Sequence, residues 1–233
     1  MKMVVVIHQP DFMPYLGFFH RFLHADIYIA LDHVQYVNSS RRSWTNRDKI
    51  KTLQGEKWLT VNVNKTSRET AINQVELSNT INWRQDHFRL LEQNYGKTQY
   101  YNEIMPELKK LYSLPCTLLY EFNMASIKML MDMLNIKIPI LCSSSLKPTK
   151  RKNELLVELL GKVSATHYLS GLGAKDYFEA EPFIDAGIDV IWQNFTHPIY
   201  TQQFGGFIPN LSTLDLLFNQ GIKASRELLR RCQ

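Results

Sequence analysis

The spacing of apolar and polar positions predicts an α/β chain whose first unit sets the rest. Met3 to Ile7 is an unbroken apolar run ending in four β-branched residues, the pattern of a strand buried on both faces. It stops at His8. Pro10 and Pro14 forbid a helix start before about Tyr15, because a proline also restricts the residue in front of it. From Gly17 the period turns helical, with Phe18, Phe19, Phe22 and Leu23 on one stripe. Residues 26–31 form a second strand, ending at Asp32. A β-loop-α-β unit places its two strands parallel with a right-handed crossover. Both strands then deliver polar residues to one sheet edge: His8, Gln9 and Asp11 from the first, Asp32 and Gln35 from the second. An ordinary βα turn is the plain alternative, but three polar side chains are more than a turn needs.

Residues 38–47 have no apolar period and carry three arginines and Trp44. Arg42 and Arg47 suit a phosphate or carboxylate, and Trp44 can stack on a base or sugar. A solvated basic loop is the alternative. Lys49 to Lys51 and Trp58 to Val63 flank Gly55 as a β-hairpin. Residues 64–80 read as irregular. Three helices follow, Trp83–Gln93, Tyr101–Leu111 and Cys116–Leu134, the last nearly apolar all round. The chain then alternates: a strand at Ile136–Cys142 leading into Ser143-Ser144-Ser145, a helix at Asn153–Leu160, a strand at Tyr168-Leu169, a helix at Ala174–Phe178 and a strand at Ile188–Trp192. Such alternation predicts a mostly parallel sheet with flanking helices. Ser170, Gly171 and Lys175 sit at a strand-to-helix corner that suits phosphate, although a Gly-x-Gly spacing alone is a weak sign. Ser212 caps a last pair of helices, Thr213–Phe218 and Ala224–Arg231, separated by Gly221. Asp215, at the third helical position, reads as a capping-box partner of Ser212 rather than a catalytic acid.

Composition narrows the class. With 233 residues, 45% of them hydrophobic, the chain suits one α/β domain, 1–233, with a helical insertion at about 82–135. No apolar run approaches the roughly 18 residues of a membrane span, and Met1-Lys2-Met3 leads straight into a strand rather than a signal sequence. Three cysteines without metal-ligand spacing point to reduced thiols in a cytoplasmic protein with no metal and no cofactor. A net charge of +5, with basic residues scattered, does not argue for nucleic acid.

Several stretches together resemble one family: Ile7-His8-Gln9-Pro10 with Pro14-Tyr15-Leu16-Gly17, Leu31-Asp32-His33-Val34-Gln35-Tyr36, Trp44-Thr45-Asn46-Arg47, Tyr168-Leu169-Ser170-Gly171, His197-Pro198-x-Tyr200, and Leu211-Ser212-x-Leu214-Asp215-Leu216-Leu217-Phe218-Asn219. The chain resembles the WbqC-like family of bacterial proteins from about residue 4 to residue 221. It departs from the family's pattern at Ser39-Ser40-Arg41-Arg42-Ser43 and at Asn210. The resemblance implies a transferase acting on a nucleotide-activated sugar in surface-polysaccharide (O-antigen) biosynthesis. Acyl or aminoacyl transfer from a donor such as a carrier-protein thioester fits that implication. It adds Tyr15, Asn46 and Tyr200, which lie within the matching motifs, to the substrate-binding residues. In such a reaction His8 or His197 is the base, with Asp32 orienting a histidine. A nucleotidylyltransferase-like enzyme and a non-catalytic nucleotide-sugar scaffold are the alternatives. Tyr15 and Phe18 stand where a nucleotidylyltransferase has its two phosphate-binding histidines.

Overall fold

The computed structural model describes residues 2–37 and 43–232. Seven strands and seven α-helices follow in chain order: β1 Val4–His8, α1 Leu16–Phe22, β2 Ile27–Ala30, β3 Arg47–Thr52, β4 Gly55–Thr60, α2 Trp83–Tyr95, α3 Tyr101–Tyr112, α4 Leu119–Leu134, β5 Ile140–Cys142, α5 Lys152–Lys162, β6 His167–Ser170, α6 Glu181–Asp185, β7 Asp189–Trp192 and α7 Thr213–Arg231. Five strands make one sheet in the order β5-β2-β1-β6-β7, every neighbouring pair parallel. The β3–β4 hairpin stands apart from it, antiparallel, with Thr52 opposite Gly55.

β1 is central and covered on both faces, which is why its sequence is apolar without alternation. Val4 and Val6 pack into the larger core with α1, α2, α3, α4, the hairpin and α7. Val5 and Ile7 point the other way, into a smaller core with Leu155 and Leu159 of α5 and Phe183 of α6. Strand periodicity places His8 on the Val4–Val6 face, and its ring meets the Phe18 ring edge-on at 5.3 Å.

Two predicted starts move for a backbone reason. α4 begins at Leu119 instead of Cys116, because residues 117–119 first bond to residues 75–77. Leu77 N–H donates to Thr117 O at 2.8 Å and Leu119 N–H to Val75 O at 2.8 Å. β5 begins at Ile140 because the chain first leaves α4 through Asn135 in the left-handed region (φ 53°) and then passes Pro139, which has no N–H to give a ladder. The predicted helix at Ala174–Phe178 is a 3-10 turn over Leu172–Tyr177. α7 is broken at Gly221 (φ 73°, ψ 170°), so it is two helical pieces meeting at the glycine. A Cβ there would stand 2.5 Å from the Tyr100 ring. None of the described helices is long and apolar enough to cross a membrane.

Candidate functional site

The chain runs outward from β1 through β2 to β5 on one side, then returns to lay β6 and β7 on the other. The gap between the carboxyl ends of β1 and β6 is therefore the topological switch point of the sheet, the place where open α/β sheets receive ligands. His8 and Ser170 are the last residues of those two strands.

The loop after β1 is held from three directions. Asn123 of α4 donates its side-chain amide to Pro10 O at 2.7 Å and to Thr45 O at 2.6 Å. Phe12 N–H donates to Trp44 O at 3.2 Å. At the start of α7, the Ser212 hydroxyl donates to Met13 O and the Thr213 hydroxyl to Pro14 O, both at 2.7 Å. Met13 takes a left-handed backbone, φ 44°, a conformation that persists in a bulky residue only when its surroundings fix it. Gly17 follows, because the Tyr15 ring lies where a Cβ would be, at 2.4 Å.

His8 is the chemically distinctive group in this loop. Its Nδ1 lies 2.9 Å from Gln9 O. A carbonyl only accepts, so Nδ1 carries the proton and Nε2 keeps its lone pair. The ring is sunk enough that burial, with the nearby Arg21 charge, holds its pKa well below the ordinary imidazole value. The side chain is still 37% exposed, so a ligand can reach the ring. Asp11 Oδ2 stands 3.5 Å from Nδ1. Burial pushes the Asp11 carboxyl up to about 7, against the pull of Arg21 and of a hydrogen bond from Thr45. Gln9 Oε1 accepts from the Thr45 hydroxyl at 3.2 Å.

Arg21, which the apolar stripe of α1 concealed, comes into the same region. It is 3% exposed, and its charge acts on His8, Asp11 and Tyr15. Its Nη1 lies 3.6 Å from the position a Cβ would take at Gly171. Gln193, just past β7, ties this corner to α1 by donating Nε2–H to Gly17 O at 2.7 Å.

Asp32 is occupied elsewhere. Its carboxylate accepts from Ser143 Oγ at 2.8 Å, Ser144 N–H at 2.8 Å, Asn73 Nδ2 at 3.1 Å and the Ser144 hydroxyl. Burial alone would raise its pKa, but these four donors outweigh it and the net shift is downward. Among the described residues no histidine bonds directly to Asp32, the contact that orienting a histidine would need. Asp32 bonds instead to Ser143, whose oxygen lies 2.6 Å from His33 Nδ1. Since the Ser143 proton goes to Asp32, His33 is the donor in that contact.

His197 donates Nδ1–H to Pro198 O at 3.0 Å and is ringed by Phe195, Tyr200 and Phe207. Burial lowers its pKa. Among the described residues no hydrogen bond joins it to His8 or Asp32. The hydroxyl of Tyr200 is committed to Asp215 at 2.8 Å. Asp215 also accepts from Tyr95 OH at 2.7 Å and Gln202 Nε2 at 2.8 Å. Meanwhile Ser212 N–H, which a capping box would aim at Asp215, donates to Lys49 O. Asp215 is thus a buried crosslink and not a capping-box partner; Ser212 itself does cap the helix, accepting from Leu214 N–H at 3.3 Å.

Of the remaining expected residues, Arg42 lies outside the described residues. Trp44 is 42% exposed, with its ring 5.2 Å from Trp58. The Arg47 guanidinium stacks 4.1 Å from the Trp58 ring and donates to Ser43 O. Lys49 Nζ lies 5.1 Å from the Trp58 ring. These four form an aromatic and cationic platform on the hairpin, joined to the His8 loop through Trp44 and Thr45. Asn46 donates its amide to Val61 O and Gln35 pairs by backbone with Ala71; both contacts serve the chain itself. Ser170 is buried, and Lys175 lies 5.3 Å over the Trp192 ring. Among the described residues no three His, Cys, Asp or Glu side chains group closely enough to hold a metal ion.

Comparison with known proteins returns one family. The model of the WbqC-like protein family matches residues 9–227. An uncharacterized protein of Mycobacterium tuberculosis, Rv1507c, is 33% identical over 235 residues, a match that covers 100% of both chains. No solved structure matches.

Proposed function

The chain belongs to the WbqC-like protein family, and from that premise we propose that it is a transferase acting on a nucleotide-activated sugar. The transfer is of an acyl or aminoacyl group to an amino group of the sugar, in the biosynthesis of a bacterial surface polysaccharide. The observation that supports this reading is His8: a neutral imidazole at the switch point, its Nδ1–H spent on Gln9 O and its Nε2 lone pair available.

Amide formation needs a base for the proton of the attacking amine. In the proposed step the amine nitrogen bonds to the carbonyl carbon of a carrier-protein thioester while His8 Nε2 takes its proton. The C–S bond then breaks, and the imidazolium returns the proton to the departing thiolate. A buried ring with a depressed pKa is a weak base by itself. Asp11, 3.5 Å from Nδ1 and ionising near neutrality, supplies the negative charge that stabilises the transient imidazolium. Tyr15, Gln9, Ser170 and Gly171 border the same corner, and the Trp44, Trp58 and Arg47 platform offers a nucleobase a flat, cationic surface. His197 is assigned to aromatic packing in this reading.

The test is direct. Purified protein is incubated with nucleotide amino sugars and acyl-carrier thioesters, and products are followed by mass spectrometry. His8→Gln should lower turnover roughly 100-fold or more with its melting temperature unchanged, while His197→Gln should retain turnover per folded molecule. Full activity in His8→Gln would end the assignment. Turnover in the wild type should rise with pH through about 7 as Asp11 ionises.

A further inference from the structure

Arg21 presents an imbalance that the fold does not explain. A guanidinium removed from water costs several kcal/mol unless charge and hydrogen bonds compensate it, and a deeply buried arginine is normally paired. Arg21 is 3% exposed. Among the described residues it makes no ion pair within 4.0 Å and no hydrogen bond, and its Nε is buried without a partner. Its contact with the Phe18 ring, 5.5 Å to the centroid, is a modest cation–π attraction. Asp11 is near enough for its carboxyl to feel the charge, yet among the described residues no carboxylate oxygen stands within 4.0 Å of the guanidinium.

The guanidinium has a glycine beside it. At Gly171, just past β6, a Cβ would meet nothing nearer than Nη1 itself at 3.6 Å, with Gln193 Oε1 at 3.9 Å. The cation thus lies against a residue with no side chain, at the switch point where His8 also stands.

We propose that Arg21 is the receptor for a phosphoryl oxyanion of the substrate, bound in the crevice between the carboxyl ends of β1 and β6 beside Gly171. The guanidinium fork matches two phosphoryl oxygens at once. This deepens the transferase reading and rests on it for the identity of the ligand: the anion is the diphosphate of the activated sugar. The phosphoryl oxygens would supply the negative partners that the guanidinium does not find within the chain.

Calorimetric titration of the whole chain with pyrophosphate, UDP and acetate tests this, with melting temperatures taken in parallel. Wild-type protein should bind pyrophosphate and UDP and melt higher in their presence. Arg21→Met should bind both at least 30-fold more weakly and, with its unpaired cation gone, melt at or above the wild-type temperature without ligand. Arg21→Lys, which keeps the charge and loses the fork, should fall between. A wild type that binds neither phosphate probe, or acetate in their place, overturns the proposal. So does an Arg21→Met chain that binds like the wild type, or one that melts several degrees lower and is thereby shown to need the cation for its fold. Turnover plays no part in these measurements. A chain that binds pyrophosphate through Arg21 but transfers no group from any donor would sink the transferase reading and leave this site standing.

Discussion

Replacing Asp215 with alanine separates a crosslink from a cap. The carboxylate is fully buried and accepts from Tyr95 on α2, Tyr200 and Gln202. Burial lifts its pKa against the pull of those three donors. In Asp215→Ala, Gln202 keeps Ile208 O as a partner, whereas the two tyrosine hydroxyls lose their acceptor. A buried donor left without a partner costs about 1–3 kcal/mol, so the two together lose about 2–6 kcal/mol. Relief from desolvating a carboxylate offsets part of that, and the expected net loss is about 3 kcal/mol. A helix-capping role would cost only about 1 kcal/mol. Urea unfolding at neutral pH reads the difference, and Tyr95→Phe closes a double-mutant cycle. The single tyrosine change should cost about 1–2 kcal/mol, and the pair should couple by about 1 kcal/mol or more. A loss below about 1 kcal/mol in Asp215→Ala, or strict additivity with Tyr95→Phe, would refute the crosslink.

Two further perturbations probe the backbone and the titration of the site. Asp11 binds protons more tightly when folded, its pKa moving from 3.8 to about 7, so its contribution to stability is present at low pH and is lost as pH rises from about 4 to about 7. At about 1.4 kcal/mol per tenfold change in proton affinity the loss is up to about 4 kcal/mol. His8, with a lowered folded pKa, has the opposite sign over the acid range, so the comparison must be of Asp11→Asn with wild type across pH. The difference should widen in favour of Asn toward pH 8, and parallel curves would be evidence against a buried, proton-holding Asp11. Gly221→Ala forces a Cβ to within 2.5 Å of the Tyr100 ring in a backbone region that side chains avoid. It should cost on the order of 2–4 kcal/mol by thermal unfolding, with only partial recovery when Tyr100 is also made alanine. Unchanged melting would mean the kink is not held at that glycine.

Period and punctuation were enough to find the sheet's central unit. Val4 to Ile7 and Ile27 to Ala30 are strands because apolar runs that short, bounded by polar residues and proline, have little else to become. The hairpin was readable from Gly55, which takes φ 103° opposite Thr52. What stayed hidden depended on distant partners. Nothing near Leu118 in sequence announces that residues 117–119 will pair with residues 75–77. Nothing near Asp215 announces Tyr95, 120 residues away. Arg21 is hidden in the pattern because the phenylalanine stripe marks α1 as amphipathic, yet every residue of Leu16–Phe22 is buried. A usable sign was present: His20 and Arg21 lie within a run of phenylalanines, and a polar pair inside a wholly buried helix asks for a partner or a ligand. The expectation for Asn46 rests on motif position and that for Gln35 on the sheet edge at the end of the second strand, and the bonds of both are spent on the chain itself.

The hydroxyls of Ser212 and Thr213 that close on Met13 and Pro14 span 199 residues of chain. That separation has a meaning in time. Translation adds about 5–20 residues per second, so the His8 loop is made roughly 10–40 seconds before the groups that fix it. β1 waits nearly as long for β6, whose His167 pairs with Val4. During that interval a bare valine-rich strand is exposed with one neighbour position unfilled, which is the condition for strand-to-strand capture between nascent chains. A ribosome that stalls before residue 212 therefore leaves a His8 loop that has Asn123 and Trp44 to hold it and lacks the two hydroxyls that close it from α7.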